Sequence, residues 1–313
     1  MRAVNPVLRR ELVERWRSRR ATVTLTAYLT VVGAITYLLY RIGQALLNEM
    51  FRWGGGPDAV SAGPILGRFL VESLLFFVML LVLFIMPGYA AAQLTGEKER
   101  RTLPLLQVTL LRPRQIVLGK LGASLAWMSL LVVVVLPIGA AAFFLGGVAL
   151  SDLVRGIVYI LGIAVSVAGV ALAVSSLTKR TAASIVLTYG IVLALVAGTL
   201  FIAAVEAVVR IESRRAEGQF TPVALYLNPF FGLSDAARAG AGMEAFFMGG
   251  GGLPSPLGAM AQALPDAELM QAVDMGGGFD GFEQALIGPP PRRPVWLIVL
   301  GIYLLMGVGG VAI

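Results

Sequence analysis

A short, strongly charged insert, QLTGEKERRTLPLLQVTLLRPRQIVLGK at residues 93–120, separates two long apolar runs. It carries Lys98, Arg100, Arg101, Arg112, Arg114 and Lys120 against only Glu97 and Glu99. The insert cannot sit in lipid, and an excess of Lys and Arg in a short loop holds that loop on the cytoplasmic side. The runs beside it are long enough to cross a bilayer, because a helix rising about 1.5 Å per residue needs about 20 apolar residues to span the hydrocarbon. Backbone polar groups in lipid must be satisfied within the segment, so such runs fold as helices. The expected fold class is an all-α polytopic membrane protein.

Composition supports this reading. The chain is 58% hydrophobic and 14% charged, where a soluble domain carries about 25% charged residues. The net charge of +7 resides in segments flanking the apolar runs, which is a topological signal and not a nucleic-acid-binding face. The sequence has neither Cys nor His. That excludes disulfides, zinc sites built on those ligands and the usual general base of hydrolases. No Walker A sequence occurs: Gly119-Lys120 lacks both the upstream glycine and the following Ser or Thr.

Six spans are expected, at about residues 21–40, 69–92, 116–145, 153–177, 182–209 and 295–313. With both termini cytoplasmic, the inner segments carry fifteen basic and four acidic residues, whereas the remainder carries ten basic and fourteen acidic. The opposite orientation would place the basic excess on the wrong side. Pro87-Gly88 is expected to kink span two, and Pro137 lies in the outer part of span three. The last span ends at Ile313 without a basic anchor, as a truncated chain or a helix ending in the interface would.

Residues 1–20 combine Arg9, Arg10, Arg15, Arg17, Arg19 and Arg20 with an apolar stripe of Val4, Val7, Leu8, Leu12, Val13 and Trp16. Read as a helix they form an amphipathic interfacial element, with Trp16 toward lipid and Arg9, Arg10, Arg17 and Arg20 toward phosphates. The plainer reading is a solvated basic tail. Residues 211–294 form a long external loop rich in glycine and proline runs. Within it, 229–241 and 257–273 are expected as short amphipathic helices on the outer leaflet. Its methionines read more readily as apolar filler than as soft-metal ligands. Gly162, Ser166, Gly169 and Ala173 share one face of span four, a pattern that lets helices approach closely within one chain or across a dimer. Glu72 and Glu206 fall near the outer ends of their spans, where hydration is expected. The spans are otherwise almost wholly apolar, which favours an amphipathic or hydrophobic cargo over a small ion.

The insert resembles the permease subunits of ABC-2 type transporters, whose fold is shared with type V ABC exporters. The resemblance lies in Thr95-Gly96-Glu97-Lys98-Glu99-Arg100-Arg101-Thr102-Leu103, Leu105-Leu106, Arg112-Pro113-Arg114 and Ile116-Val117-Leu118-Gly119-Lys120, with support from the segment beginning Asn5-Pro6-Val7 and from Asn228-Pro229-Phe230. It implies a transmembrane subunit that pairs with a second copy or a homologous permease and with separate ATPase subunits that bind ATP and Mg. The implied location is the prokaryotic cytoplasmic membrane. The loop after span two would be the coupling helix. Glu97, Lys98, Glu99, Arg100 and Arg101 would be its polar docking face, and Leu103, Leu105 and Leu106 would seat in the partner or against the amino-terminal helix. No cofactor is expected in this chain, and no catalytic or metal-binding residue.

Other classes remain in view. A stand-alone channel or secondary transporter would place ionisable groups near the midplane, and none is obvious. An intramembrane enzyme would need a Ser–His pair or paired buried aspartates. A membrane anchor or scaffold would use the same docking loop and move nothing. The insert could also be a solvated loop that only enforces topology.

Overall fold

The computed structural model describes residues 19–52, 59–102, 113–146, 148–212, 223–237 and 295–312. Among these residues the chain is helical and contains no strand. In chain order the helices are α1 (Arg19–Arg52), α2 (Ala59–Glu99), α3 (Pro113–Val134), α4 (Leu136–Phe143), α5 (Leu150–Leu177), α6 (Thr181–Leu193), α7 (Thr199–Glu212), α8 (Pro229–Ala237) and α9 (Val295–Ala312). Five stretches are long and apolar enough to cross a membrane: Ala21–Asn48, Gly63–Glu99, Gln115–Ala142, Leu150–Leu177 and Thr181–Glu206. A shorter apolar helix, Val295–Val311, packs beside the fourth of these stretches.

Proline sets where these helices break. Pro137 cannot donate a backbone bond, so the third crossing divides at Val135 into α3 and α4. Pro87 leaves α2 continuous, and Gly88 beside it, having no Cβ, leaves a notch. Tyr189 of α6 fills that notch, donating its hydroxyl to the Phe84 carbonyl at 2.5 Å. A Cβ on Gly88 would come within 2.8 Å of that hydroxyl. The fifth crossing contains a π-turn, Ala194–Gly198, between α6 and α7, and such turns leave carbonyls free for other partners.

The five long crossings alternate in direction and α9 runs parallel to α5, so the first and last described residues lie at the same end of the bundle as Glu99. α2 and α5 run side by side in parallel, with Leu75 against Gly156 at one end and Leu94 and Thr95 against Ser175 at the other. α5 and α9 also run parallel. Gly162 meets Leu300, and seven residues on in each helix Gly169 meets Gly307, with Ala173 against Gly310 beyond. A Cβ on Gly307 would lie 2.6 Å from Ser166 Cα, so only glycine permits this backbone approach. The small-residue face of the fourth span is thus an intramolecular packing face. α2 and α5 form the centre of the bundle: within an 18-residue apolar stretch of each crossing, 67% of the second and 56% of the fourth is buried, against 11% of the first and of the fifth.

Two expectations are corrected here. Residues 229–237 do not lie on the outer leaflet, because every residue of α8 is buried. The Tyr159 hydroxyl donates to Pro229 O and the Tyr303 hydroxyl to Leu227 O. Tyr159 and Tyr303 lie nine and eight residues into α5 and α9, so the Asn228-Pro229 turn sits about 12–14 Å below the helix ends. The segment 223–237 therefore dips back into the bundle, where irregular backbone is tolerated because protein surrounds it. Glu72 is likewise not hydrated; it is 7% exposed and pairs with Arg68 at 3.3 Å. The interfacial-helix residues Arg9, Arg10, Trp16 and Arg17 and the segment 257–273 lie outside the described residues, and Arg20 falls in the first turn of α1.

Candidate functional site

The charged insert begins inside a helix. α2 continues past the apolar run to Glu99, so Glu97, Lys98 and Glu99 form its last turn. The helix then ends in a Schellman arrangement: Arg101 N donates to Lys98 O at 3.1 Å and Thr102 N to Glu97 O at 3.0 Å. This closure needs a left-handed residue, and Arg101 supplies it at φ 57° where glycine is usual.

Three consecutive side chains of this turn reach three different helices. Glu97 Oε1 pairs with Lys120 Nζ of α3 at 2.8 Å. The Lys120 side chain is only 3% exposed, so its charge needs a partner. Lys98 Nζ donates to the carbonyls of Ser175 (2.9 Å), Ser176 (2.5 Å) and Thr178 (2.9 Å). These carbonyls close α5, and a cation there satisfies acceptors that the helix leaves unpaired while opposing its negative end. Glu99 Oε1 accepts from Thr181 N, the first amide of α6, at 2.7 Å. A carboxylate there meets the positive end of a helix.

Hydroxyl groups complete the junction. Ser175 Oγ of α5 accepts from Leu94 N and Thr95 N at 3.3 and 3.0 Å. Ser184 Oγ of α6 donates to Ala91 O at 3.1 Å. The end of α2 is thus bonded to α3, α5 and α6. Beyond it, Arg100 and Arg101 are exposed. Leu103, Leu105 and Leu106 lie outside the described residues.

Of the residues expected as the polar docking face, Glu99, Arg100 and Arg101 are exposed and Glu97 and Lys98 are half-buried. Glu97, Lys98 and Glu99 contact the chain's own helices, and Arg100 and Arg101 face outward. The sequence reading did not identify Lys120, Ser175, Thr178, Thr181 and Ser184 as partners. Lys120 had a usable signal, being a lone cation at the start of an apolar run. The others are helix-terminal groups of ordinary type, and only the packing of α5 and α6 on α2 brings them into reach.

At the opposite end a second polar group joins the segment 223–237 to the crossings. Asn228 is fully buried. Its Nδ2 donates to Val196 O in the π-turn (3.0 Å) and to Thr199 Oγ1 (2.9 Å), and its Oδ1 accepts from Phe230 N (2.9 Å). Asn228 thus caps α8, with Pro229 at the first helical position. Asp235, also fully buried, accepts from Trp296 N in the first turn of α9 at 2.9 Å.

This architecture of apolar crossings, a charged junction at the end of α2 and a re-entrant segment before the last helix agrees with a family match. The model of the ABC-2 family transporter protein matches residues 67–309, which is most of the chain. The chain belongs to the ABC-2 transporter family. It is a multi-pass membrane protein and a permease subunit of an ABC transporter. Membership implies an ATPase partner subunit and, often, a dimer. A search of curated proteins finds no match for the chain.

Proposed function

We propose that this ABC-2 permease carries a substrate outward across a prokaryotic cytoplasmic membrane, driven by ATP hydrolysis on separate ATPase subunits, and that it pairs with a second permease. In this reading the Glu99 end of the bundle and both chain termini face the cytoplasm. The ATPase grips the surface that begins at Arg100 and Arg101 and continues through Leu103, Leu105 and Leu106. ATP and Mg are bound by the partner.

The observation that supports this reading most is the exposed Arg100-Arg101 pair at the tip of a turn whose preceding three side chains are anchored to the bundle. A surface that receives a push must be exposed and also firmly attached to what moves. The basic excess of the same segment supports its cytoplasmic placement. Coupling requires that the two arrangements of the ATPase bind the permease's states with different affinity.

The test is co-purification from detergent extract. The unaltered chain should retain an ATPase subunit. Arg100→Glu with Arg101→Glu should release it while the permease keeps its unfolding midpoint. Undiminished retention and ATP turnover after this double reversal would remove the docking assignment. A thiol probe at Thr102→Cys, in a chain with no natural Cys, should label only from the cytoplasmic side.

A further inference from the structure

The three side chains before Arg100 and Arg101 are all bonded within the chain. We infer that Glu97, Lys98 and Glu99 are positioning residues that act as an intramolecular clasp. They make the ends of α2, α3, α5 and α6 one rigid body, so that a push received beyond Glu99 moves four helices together. The inference rests on the coupling reading above for the origin of the push, but the clasp itself is a property of this chain.

The geometry carries it. Three adjacent residues of one helical turn point in three directions, and each ends on a different helix: Lys120 on α3, the Ser175, Ser176 and Thr178 carbonyls on α5, and the Thr181 amide on α6. Lys98 takes three acceptors, as many as an ammonium group can donate to. Glu97 and Lys98 are partly buried, so these groups are not free for a partner's surface. Ser175 and Ser184 add bonds to the α2 backbone one to two turns earlier. A hinge at the end of α2 is thereby excluded, and motion arriving there passes to the other helices directly. The close approach of Gly169 and Gly307 extends the unit to α9. α1 is mostly unburied and packs chiefly on α2.

The experiment uses the full chain, which lacks natural Cys, with spin labels at Thr102→Cys and Lys179→Cys, both exposed sites at the ends of α2 and α5. The distance between labels is measured in the chain alone, and in its complex with the co-purified ATPase before and after trapping with ATP, Mg and vanadate. The expected result is one narrow distance that does not change on trapping. Lys98→Met should broaden it in the chain alone and make it shift on trapping, because α2 then moves without α5. Lys98→Arg, which keeps a cation at the α5 terminus, should restore the narrow distance. A narrow, unchanging distance in Lys98→Met would overturn the clasp. Loss of the ATPase from Lys98→Met, with the distance still narrow, would also overturn it and reassign Lys98 to docking. If Lys98→Met does not fold, Glu99→Gln should loosen α6 in the same way, read between Thr102→Cys and a label at Ala183→Cys. Failure of the unaltered chain to hold any ATPase would sink the coupling reading instead, and the measurement on the chain alone would still decide the clasp.

Discussion

The two ends of the bundle solve the same problem with different chemistry. At the Glu99 end, helix termini are capped from a neighbouring helix by charged side chains: Lys98 on the last carbonyls of α5 and Glu99 on the first amide of α6. At the opposite end the cross-helix bonds come mainly from an amide and two phenols, Asn228, Tyr159 and Tyr303, all buried. The difference follows solvent access. A charge retains part of its hydration at the partly exposed end, where its attraction for a helix terminus is favourable and screened. A neutral group costs far less to bury than an ion, provided its hydrogen bonds are made. Charged groups occur there too: Asp235, a fully buried carboxyl on the first turn of α9, Arg155, whose Nε donates to Ala236 O, and the buried Glu72 paired with Arg68. The partly exposed end is therefore tuned chiefly by charge, and the buried end chiefly by hydrogen bonds of neutral groups.

The largest effect should come from breaking the buried end. Asn228→Ala leaves Val196 O and Phe230 N without their partner in a fully buried site. It should cost about 3 kcal/mol, at about 1–3 kcal/mol per unsatisfied buried group. Unfolding of the purified protein in bicelles measures this, and the loss should be nearly the same in 1 M NaCl. A smaller effect is expected at the charged end: Lys98→Met should cost about 1 kcal/mol through the α5 terminus. That loss should shrink in 1 M NaCl, since salt screens exposed charges over about 3 Å at that concentration. Equal salt sensitivity of the two variants would remove the distinction between the ends. A third effect, similar in size to that of Lys98→Met, has the opposite sign. Arg101→Gly should stabilise the protein by about 1 kcal/mol, because a left-handed conformation costs an L-residue about that much and glycine almost nothing. An unfolding midpoint below that of the parent would show that the Arg101 side chain contributes more than the strain it carries.

Much of this was legible in the residues. The apolar runs gave the crossings, Pro137 marked the break in the third, and the Gly162, Ser166, Gly169 and Ala173 face was readable as a close-packing surface. The motif around Glu97 and Arg101 indicated the family. The extension of α2 through Glu99 was not legible, because charged residues after an apolar run look like the start of a loop. The burial of α8 was also hidden. Its sequence, PFFGLSDAA, carries a serine and an aspartate that suit an interface, and only the capping of α9 by Asp235 makes them suit the interior.

The sequence by itself determined that this chain is a bundle of membrane-crossing helices with one strongly basic polar segment, because continuous apolar runs of this length satisfy their backbone in hydrocarbon as helices and clustered charge is rejected there. It also marked the seam where two helices touch, because only small side chains allow that approach. The tertiary structure decided what the charges do. Glu97, Lys98 and Glu99 are adjacent in the chain, but their partners lie 23, 77 and 82 residues away. Those partners are mostly helix termini, whose backbone groups are alike in every sequence and become specific only when packing brings them to a side chain.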